Sequence, residues 1–165
     1  MTKVLIIGYG NTLRRDDGVG PYAAQAIADN MLDGEVEVLL RHQLTPELAE
    51  AIGRAKLTIF VDAREDGQPG AIGMQTLAPV PDEANALVHQ VSPQTLLACA
   101  HSLYDGCAQA VLYSVTGADF GYGDGLSDLV AGQLPTLIDL ITAHIRQQIA
   151  EHAPMIPETP QDAGR

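Results

Sequence analysis

The chain opens with an apolar run that breaks into a glycine turn and then into a helical pattern. The run Val4–Ile7 is followed by Gly8 and Gly10, and an alanine-rich pattern of helical period begins at Val19. Glycines at such a point permit the backbone conformations and close approaches that a turn at the end of a buried strand requires. The sequence therefore predicts a buried strand that leads through a sharp turn into a helix, as in α/β proteins.

The glycine turn differs from a dinucleotide-binding loop. The G-x-G-x-x-G pattern needs a third glycine where this chain carries Leu13. Asp16 and Asp17 would also repel a phosphate at the helix entrance, where phosphate loops present bare N–H groups. We therefore expect a cation at this turn, and no nucleotide cofactor.

Composition limits the partners that the protein can have. Its 165 residues, 46% of them hydrophobic and 18% charged, can form one sizeable core. The net charge of −12 argues against nucleic acid and anionic membranes, because both attract clusters of Lys and Arg. The sequence lacks a secretory leader pattern, and it has no apolar run of about twenty residues that could span a membrane. Its two cysteines, Cys99 and Cys107, are more often reduced than bridged at such a spacing. We expect a cytoplasmic protein.

Strand and helix patterns alternate along the chain, which predicts an α/β fold of three αβα layers around a five-stranded sheet. The predicted strands are Lys3–Gly8, Val36–His42, Leu57–Ala63, Ala71–Leu77 and Gln109–Val115. The predicted helices are Val19–Met31, Pro46–Arg54, Pro93–Tyr104 and Ser127–Glu151. The second and third helices are each preceded by an N-cap candidate, Thr45 and Ser92, with proline at the first helical position. We expect one domain over residues 1–151 and a flexible tail over residues 152–165.

The short connection between the third and fourth strands predicts the sheet topology. Parallel pairing needs a crossover of a dozen or more residues, and the segment between Asp62 and Ala71 is shorter than that. The fourth strand should therefore be antiparallel in a mostly parallel sheet. The loop over residues 78–91 is then long enough, at roughly 3.3 Å per residue, to return to the carboxyl edge. It would bring His89 to the edge where Asp17 also lies.

Asp17, Asp62 and His89 are thus predicted on one rim, where open α/β sheets bind their ligands. Two carboxylates and an imidazole suit a borderline divalent ion such as nickel, zinc, manganese or iron. Each residue also has an ordinary interpretation, as a turn carboxylate, a strand-end residue and a loop histidine. Their predicted proximity is what favours a metal site.

These residues lie in segments that resemble the maturation endopeptidases of nickel–iron hydrogenases. The resembling segments are Gly8–Asn11 with Leu13, Asp16–Gly20, Ile59–Ala63, and Val88–Ser92 with Leu96 and Leu97. The resemblance covers roughly residues 3–147. Arg15 stands where many members have a small residue, and Asp17 where some have glutamate. The segment His42–Leu48 resembles only the branch that serves soluble cytoplasmic hydrogenases.

The resemblance implies an endopeptidase that removes a C-terminal extension from a hydrogenase large-subunit precursor after nickel insertion. In this family the nickel is understood to come with the precursor, so Asp17, Asp62 and His89 would bind the substrate's nickel and align the peptide. Precursor thiolates would hold part of the ion's coordination shell, and the enzyme would supply harder ligands. The implied partner is the nickel-loaded precursor.

The sequence offers no evident nucleophile. Cys99 falls in an apolar helix where a buried thiol is expected, and Cys107 has no neighbouring base. Neither H-E-x-x-H nor G-x-S-x-G occurs. Attack by water is the simplest route, with the metal polarising the scissile carbonyl or acidifying the water, and with Asp16 or Asp17 accepting the proton. The alternative for Asp16 is an ordinary turn-capping role.

Secondary candidates are His42 and Gln43 at the end of the second strand, and the glycine-rich loop Gly117–Ser127, which could cover the peptide. A structural histidine, and a flexible loop that ends in a Ser127 N-cap, are the alternatives.

Two other classes of function remain open. A nickel carrier or sensor could use the same three ligands without hydrolysis, although carriers often use thiolates or additional histidines. A nucleotide-dependent oxidoreductase ranks last because of Leu13 and the two adjacent aspartates.

Overall fold

A computed structural model describes residues 4–31, 34–80, 91–106 and 109–154. The strands in these ranges are β1 Val4–Tyr9, β2 Val36–Arg41, β3 Leu57–Arg64, β4 Ile72–Leu77 and β5 Gln109–Thr116. The helices are α1 Val19–Asn30, α2 Leu48–Arg54, α3 Pro93–Tyr104 and α4 Asp128–Glu151, and a 3-10 turn over Arg15–Gly18 precedes α1. Every described boundary lies within two residues of its predicted position.

The five strands form one sheet in the order β2-β1-β3-β5-β4. β1 is parallel to β2 and β3, and β3 is parallel to β5, whereas β4 is antiparallel to β5. The predicted mostly parallel sheet with an antiparallel fourth strand is confirmed. The carboxyl ends of the four parallel strands meet at one edge, which we call the carboxyl edge. β2 pairs with one side of β1, and β3 pairs with the other side, so the direction in which strands are added reverses between β1 and β3. Open α/β sheets bind their ligands at such a switch point.

Helices cover both faces of the sheet, as predicted. α1 and α4 pack on one face, with Ile27 and Ile141 in their contact layer, and α2 and α3 pack on the other, with Ile52 and Leu96. The run Val4–Ile7 is fully buried because alternate residues enter the two opposite cores. Burial of each such side chain contributes about 1.5–3 kcal/mol. Among the described helices, none has the length and apolar character needed to cross a bilayer.

The two predicted helix caps have different outcomes. Ser92 caps α3 as predicted, because its Oγ accepts the Thr95 N–H at 3.1 Å. The predicted cap at Thr45 is wrong. The N–H of Leu48 donates to the Thr45 carbonyl at 3.1 Å, which closes a tight turn before the helix, and α2 begins at Leu48 without a side-chain cap. Residues 155–165 of the predicted tail lie outside the described part of the chain.

β1 and α1 contact each other through two glycines. A Cβ atom on Gly8 would collide with the Gly20 carbonyl and with the Cβ of Ala24. A Cβ atom on Gly20 would collide with the carbonyls of Tyr9 and Val61. The start of α1 therefore lies directly against the ends of β1 and β3, and this contact fixes the 3-10 turn beside the carboxyl edge.

We expect Gly20→Ala to lower the free energy of unfolding by about 1–3 kcal/mol, because the new methyl group meets backbone oxygens that cannot move aside independently. Urea denaturation measures the change. Gly132→Ala is the matched control, since Gly132 is exposed on α4 with open space around it. We expect this substitution to raise the free energy of unfolding by about 0.5–1 kcal/mol. Similar effects at the two positions would contradict the close contact between α1 and β1.

Candidate functional site

Tyr9 and Asp62 lie side by side at the switch point. Gly8 pairs with Val61, so the next residues of β1 and β3 occupy the same row of the sheet and share a face. The Tyr9 hydroxyl hydrogen-bonds the Asp62 carboxylate. The Tyr9 ring meets the Phe60 ring edge-on, with 6.5 Å between centroids. Tyr9 is therefore held in place by the sheet and in turn orients Asp62.

The Asp62 carboxylate is in an environment that disfavours its charge. Burial is the main cause that raises the pKa of Asp62 to about 6. Hydrogen bonds from the Ala63 N–H, at 2.7 Å, and from the Tyr9 hydroxyl oppose this shift, whereas the charge of Asp17 adds to it. Burial and Asp62 together raise the pKa of Tyr9, so its hydroxyl remains a donor at neutral pH. A cation beside Asp62 would relieve the cost of its charge.

Asp17 reaches the same region from the 3-10 turn. Its Oδ2 accepts the Asn11 N–H at 2.7 Å. Gly10 has a φ of 144°, and a Cβ atom there would collide with the Asp17 carbonyl. The glycine turn thus encloses Asp17, whose charge acts on Asp62. The structure brings two of the three predicted ligands together at the carboxyl edge.

The third predicted ligand, His89, lies outside the described residues, and its place on the rim stays a prediction. Within the described ranges, no group of three or more His, Cys, Asp and Glu side chains is arranged to hold a metal ion. A metal site at this edge would therefore need a ligand in addition to Asp17 and Asp62.

Asp16, the neighbour of Asp17 in the 3-10 turn, is fully buried. Its Oδ2 accepts the N–H groups of Ala118 and Asp119, at 2.8 and 2.9 Å, and the Ser127 hydroxyl at 2.8 Å. Its Oδ1 accepts the Ser127 N–H at 2.8 Å. Burial alone would raise the pKa of Asp16, but these hydrogen bonds outweigh it and hold the pKa below its ordinary value. The contacts favour a structural anchor for the loop over residues 117–127 rather than a proton acceptor.

Two arginines add to the attachment of this loop. Arg14 Nε donates to the Phe120 carbonyl at 3.3 Å, and the Arg15 N–H donates to the Gly123 carbonyl at 3.2 Å. Arg15 has a φ of 45°, in the left-handed region that few side chains favour. Ser127 ends the loop as the N-cap of α4, as its alternative interpretation predicted. The loop is therefore fastened to the turn that carries Asp17.

The remaining candidates have simpler surroundings. His42 and Gln43 follow β2 at the carboxyl edge and are exposed. Cys99 is only 8% exposed within the core beneath α3, which confirms the predicted buried thiol. Cys107 lies outside the described residues. Within the described residues, neither His42, Gln43 nor Cys99 is a hydrogen-bond partner of Asp17 or Asp62.

Tyr9 is a site residue that the sequence patterns do not predict. Its partner, Asp62, is more than fifty positions away, and only the pairing of β1 with β3 places them in one row. The signal that was available is an aromatic residue between two glycines at the end of a strand, next to the predicted binding edge.

The chain matches no family model, and no curated protein matches it by sequence. Its fold is shared with solved structures of hydrogenase maturation proteases. HybD, a hydrogenase maturating endopeptidase from E. coli, superposes with a TM-score of 0.69 at 22% identity, over 88% of this chain and 93% of its own. The [NiFe] hydrogenase maturation protease HycI from Thermococcus kodakarensis gives 0.68 at 22%, over the same shares. A hydrogenase 2 maturation peptidase from a Thaumarchaeota archaeon gives 0.66 at 23%, over 88% and 99%. This is the fold that the sequence resemblance implied.

Asp62→Asn is expected to stabilise the protein at neutral pH. The pKa of Asp62, about 6, lies above the ordinary value of roughly 3.9, so the folded protein binds more protons than the unfolded chain between these values. The free energy of unfolding therefore falls as the pH rises through this window. Above it, the protein bears the full cost of the buried Asp62 charge. We expect Asp62→Asn to add roughly 1–2 kcal/mol at pH 7.5 and much less at pH 4, as measured by urea denaturation.

The matched control is Asp66→Asn, because the pKa of this exposed carboxylate is lowered by its hydrogen bond and charge interaction with Arg64. It should bring no gain in stability at pH 7.5. An Asp62→Asn effect that is the same at both pH values would contradict the raised pKa.

Asp16→Ala is expected to destabilise the protein by about 3 kcal/mol or more, since it leaves several loop donors without their acceptor. Amide hydrogen exchange at Ala118 and Asp119 should accelerate in the same variant. Asp124→Ala, in the same loop but exposed, should change stability by less than about 0.5 kcal/mol. An Asp16→Ala protein of normal stability would show that the loop does not depend on this anchor.

Proposed function

We propose that this chain is a processing endopeptidase that removes the C-terminal extension of a nickel–iron hydrogenase large-subunit precursor after nickel insertion. The observation that carries the proposal is the Asp17–Asp62 pair at the switch point of a fold shared with hydrogenase maturation proteases. The resemblance of the glycine turn and of the segment around Asp62 to that family supports it further.

The proposed ligands for the substrate's nickel are Asp17, Asp62 and His89. Two hard oxygens and one imidazole complete the shell of an ion that the precursor's thiolates already hold in part. The raised pKa of Asp62, caused chiefly by burial and in smaller part by the charge of Asp17, supports this role, because a bound cation would relieve the cost of the Asp62 charge. A precursor without nickel would gain none of this binding energy, so the ion would act as a check on maturation.

The residues around the pair would orient it for the reaction. Tyr9 holds one side of Asp62, and the Asn11 N–H holds Oδ2 of Asp17. With the peptide aligned by the ion, a water molecule attacks the scissile carbonyl. Because Asp16 is committed to the loop, a carboxylate oxygen of Asp17 that is free of the metal is the better candidate to accept the proton from this water. The same oxygen would return the proton to the leaving nitrogen as the C–N bond breaks.

The alternative is a nickel carrier or sensor that binds without hydrolysis. Carriers favour thiolate ligands, and the described cysteine, Cys99, is buried in the core away from the carboxyl edge. We therefore favour the peptidase. We expect the nickel-loaded precursor as its partner in the cytoplasm, and neither nucleic acid nor a membrane, in keeping with the net charge of −12.

The proposal predicts that Asp17→Ala, Asp62→Ala and His89→Ala each reduce processing of a nickel-loaded precursor roughly a hundredfold or more, because the peptide loses its alignment. Intact mass spectrometry of the precursor follows the reaction. Thermal denaturation should show that the variants remain folded.

Cys99→Ala is the control and should process the precursor at the normal rate. Normal processing by the Asp62→Ala protein would contradict the proposed site, and loss of processing by a folded Cys99→Ala protein would indicate thiol chemistry instead.

A further inference from the structure

A shallow cavity opens beside Asp62 on the same face of the sheet. Asp62 pairs with Ser114 of β5, and Ser114 pairs with Gly73 of β4, so the three residues form one row across the sheet. The cavity has a volume of about 250 Å³. Its lining residues are Arg64, Gly73, Met74, Gln75, Leu112 and Ser114. It therefore begins at the register position next to the proposed metal ligand.

Arg64 brings a positive charge into this cavity. It follows Asp62 by two residues in β3, so both side chains lie on one face, roughly 6–7 Å apart along the strand. A Cβ atom on Gly73 would lie 3.3 Å from Arg64 Nη1 and 3.2 Å from Ser114 Oγ. The glycine thus leaves room for the guanidinium group to lie over β4 and β5.

The hydrogen-bond donors in this cavity make only weak interactions with other residues of the protein. Asp66 contacts Nε and Nη2 of Arg64 at 3.3 and 3.4 Å, an exposed pair of the kind that contributes little and exchanges readily. Nη1 lies on the side of Gly73 and Ser114. No described residue hydrogen-bonds the Ser114 hydroxyl, although Ser114 is only 4% exposed. The cavity can therefore offer guanidinium N–H groups and a hydroxyl to a ligand, and these donors match a carboxylate.

We propose that this cavity is the subsite for an acidic side chain of the substrate peptide. The inference rests on the proposed function, in which the scissile bond lies beside Asp62. An extended peptide advances roughly 3.3 Å per residue, so the acidic residue lies within about three positions of the cleaved bond. Leu112 provides an apolar wall for the methylene groups of the side chain, which favours glutamate over aspartate. Because the contact of Arg64 with Asp66 is exposed and weak, the guanidinium group can exchange this partner for the carboxylate of the substrate.

The experiment uses a precursor that the wild-type protein cleaves, with each Asp and Glu near the cut changed in turn to Asn or Gln. One of these changes should raise KM roughly tenfold and leave kcat within about twofold, as expected for loss of one charged hydrogen bond. Arg64→Gln should cause the same loss with the unmodified precursor. Combining the two changes should add little, because both remove the same interaction.

Charge reversal separates direct contact from a structural role. The Arg64→Glu protein should regain affinity for a precursor that carries Lys at the identified position. Arg54→Gln is the matched control, because Arg54 is also exposed and paired with an acid, Glu50, but lies at the opposite edge of the sheet. It should leave KM unchanged, and all variants should keep the melting temperature of the wild type within a few degrees.

Other results would overturn the subsite or the proposed function. Equal KM for Arg64→Gln and wild type, or fully additive losses, would overturn the subsite and leave the proposed function intact. A second test adds a few neutral residues after the last residue of the precursor. If this addition lowers affinity while changes to the acidic side chains have no effect, the cavity binds the C-terminal carboxylate of the precursor, which would contradict the proposal. If wild-type protein cleaves no nickel-loaded precursor, the proposed function fails, and this inference fails with it.

Discussion

The contact between α1 and the ends of β1 and β3 determines the geometry of the whole site. Gly8 and Gly20 have no side chain at the points where helix and strands touch, so the helix start lies directly on the sheet. The turn before the helix must then lie at the carboxyl edge, with Asp17 beside Asp62. A larger residue at either glycine would move the turn outward, and the charge interaction between the two carboxylates would weaken with distance.

The 3-10 turn carries two adjacent carboxylates with different partners. Asp16 binds the loop over residues 117–127, whereas Asp17 accepts the Asn11 N–H and its charge acts on Asp62. Asp16 is charged inside the protein at little cost, since the loop that it anchors supplies all of its hydrogen-bond donors. Asp62 is costly to ionise chiefly because it is largely buried; its hydrogen bonds from Ala63 and Tyr9 do not offset this, and the charge of Asp17 adds to it. The first arrangement stabilises the fold, whereas the second stores free energy that a bound cation can release, as is common at functional sites.

Much of the fold could be predicted from local patterns and lengths. The antiparallel fourth strand followed from a connection too short for a crossover, and the Ser92 cap followed from one dipeptide. The prediction at Thr45 was wrong because the same dipeptide pattern also suits a tight turn. The partners of Tyr9 and Asp16 could not be predicted, since each depends on contacts between segments far apart in sequence. Topology alone predicted that Asp17 and Asp62 lie close together at the carboxyl edge, whereas their role as metal ligands and the position of His89 stay predictions.

The most direct test of the account is to incubate the purified protein with a hydrogenase large-subunit precursor in nickel-loaded and nickel-free forms, and to follow the C-terminal extension by intact mass. The account predicts cleavage of the loaded form alone, because only the bound ion lets Asp17 and Asp62 align the peptide. Cleavage of both forms at the same rate would contradict recognition through nickel. Cleavage of neither form would contradict the peptidase assignment itself.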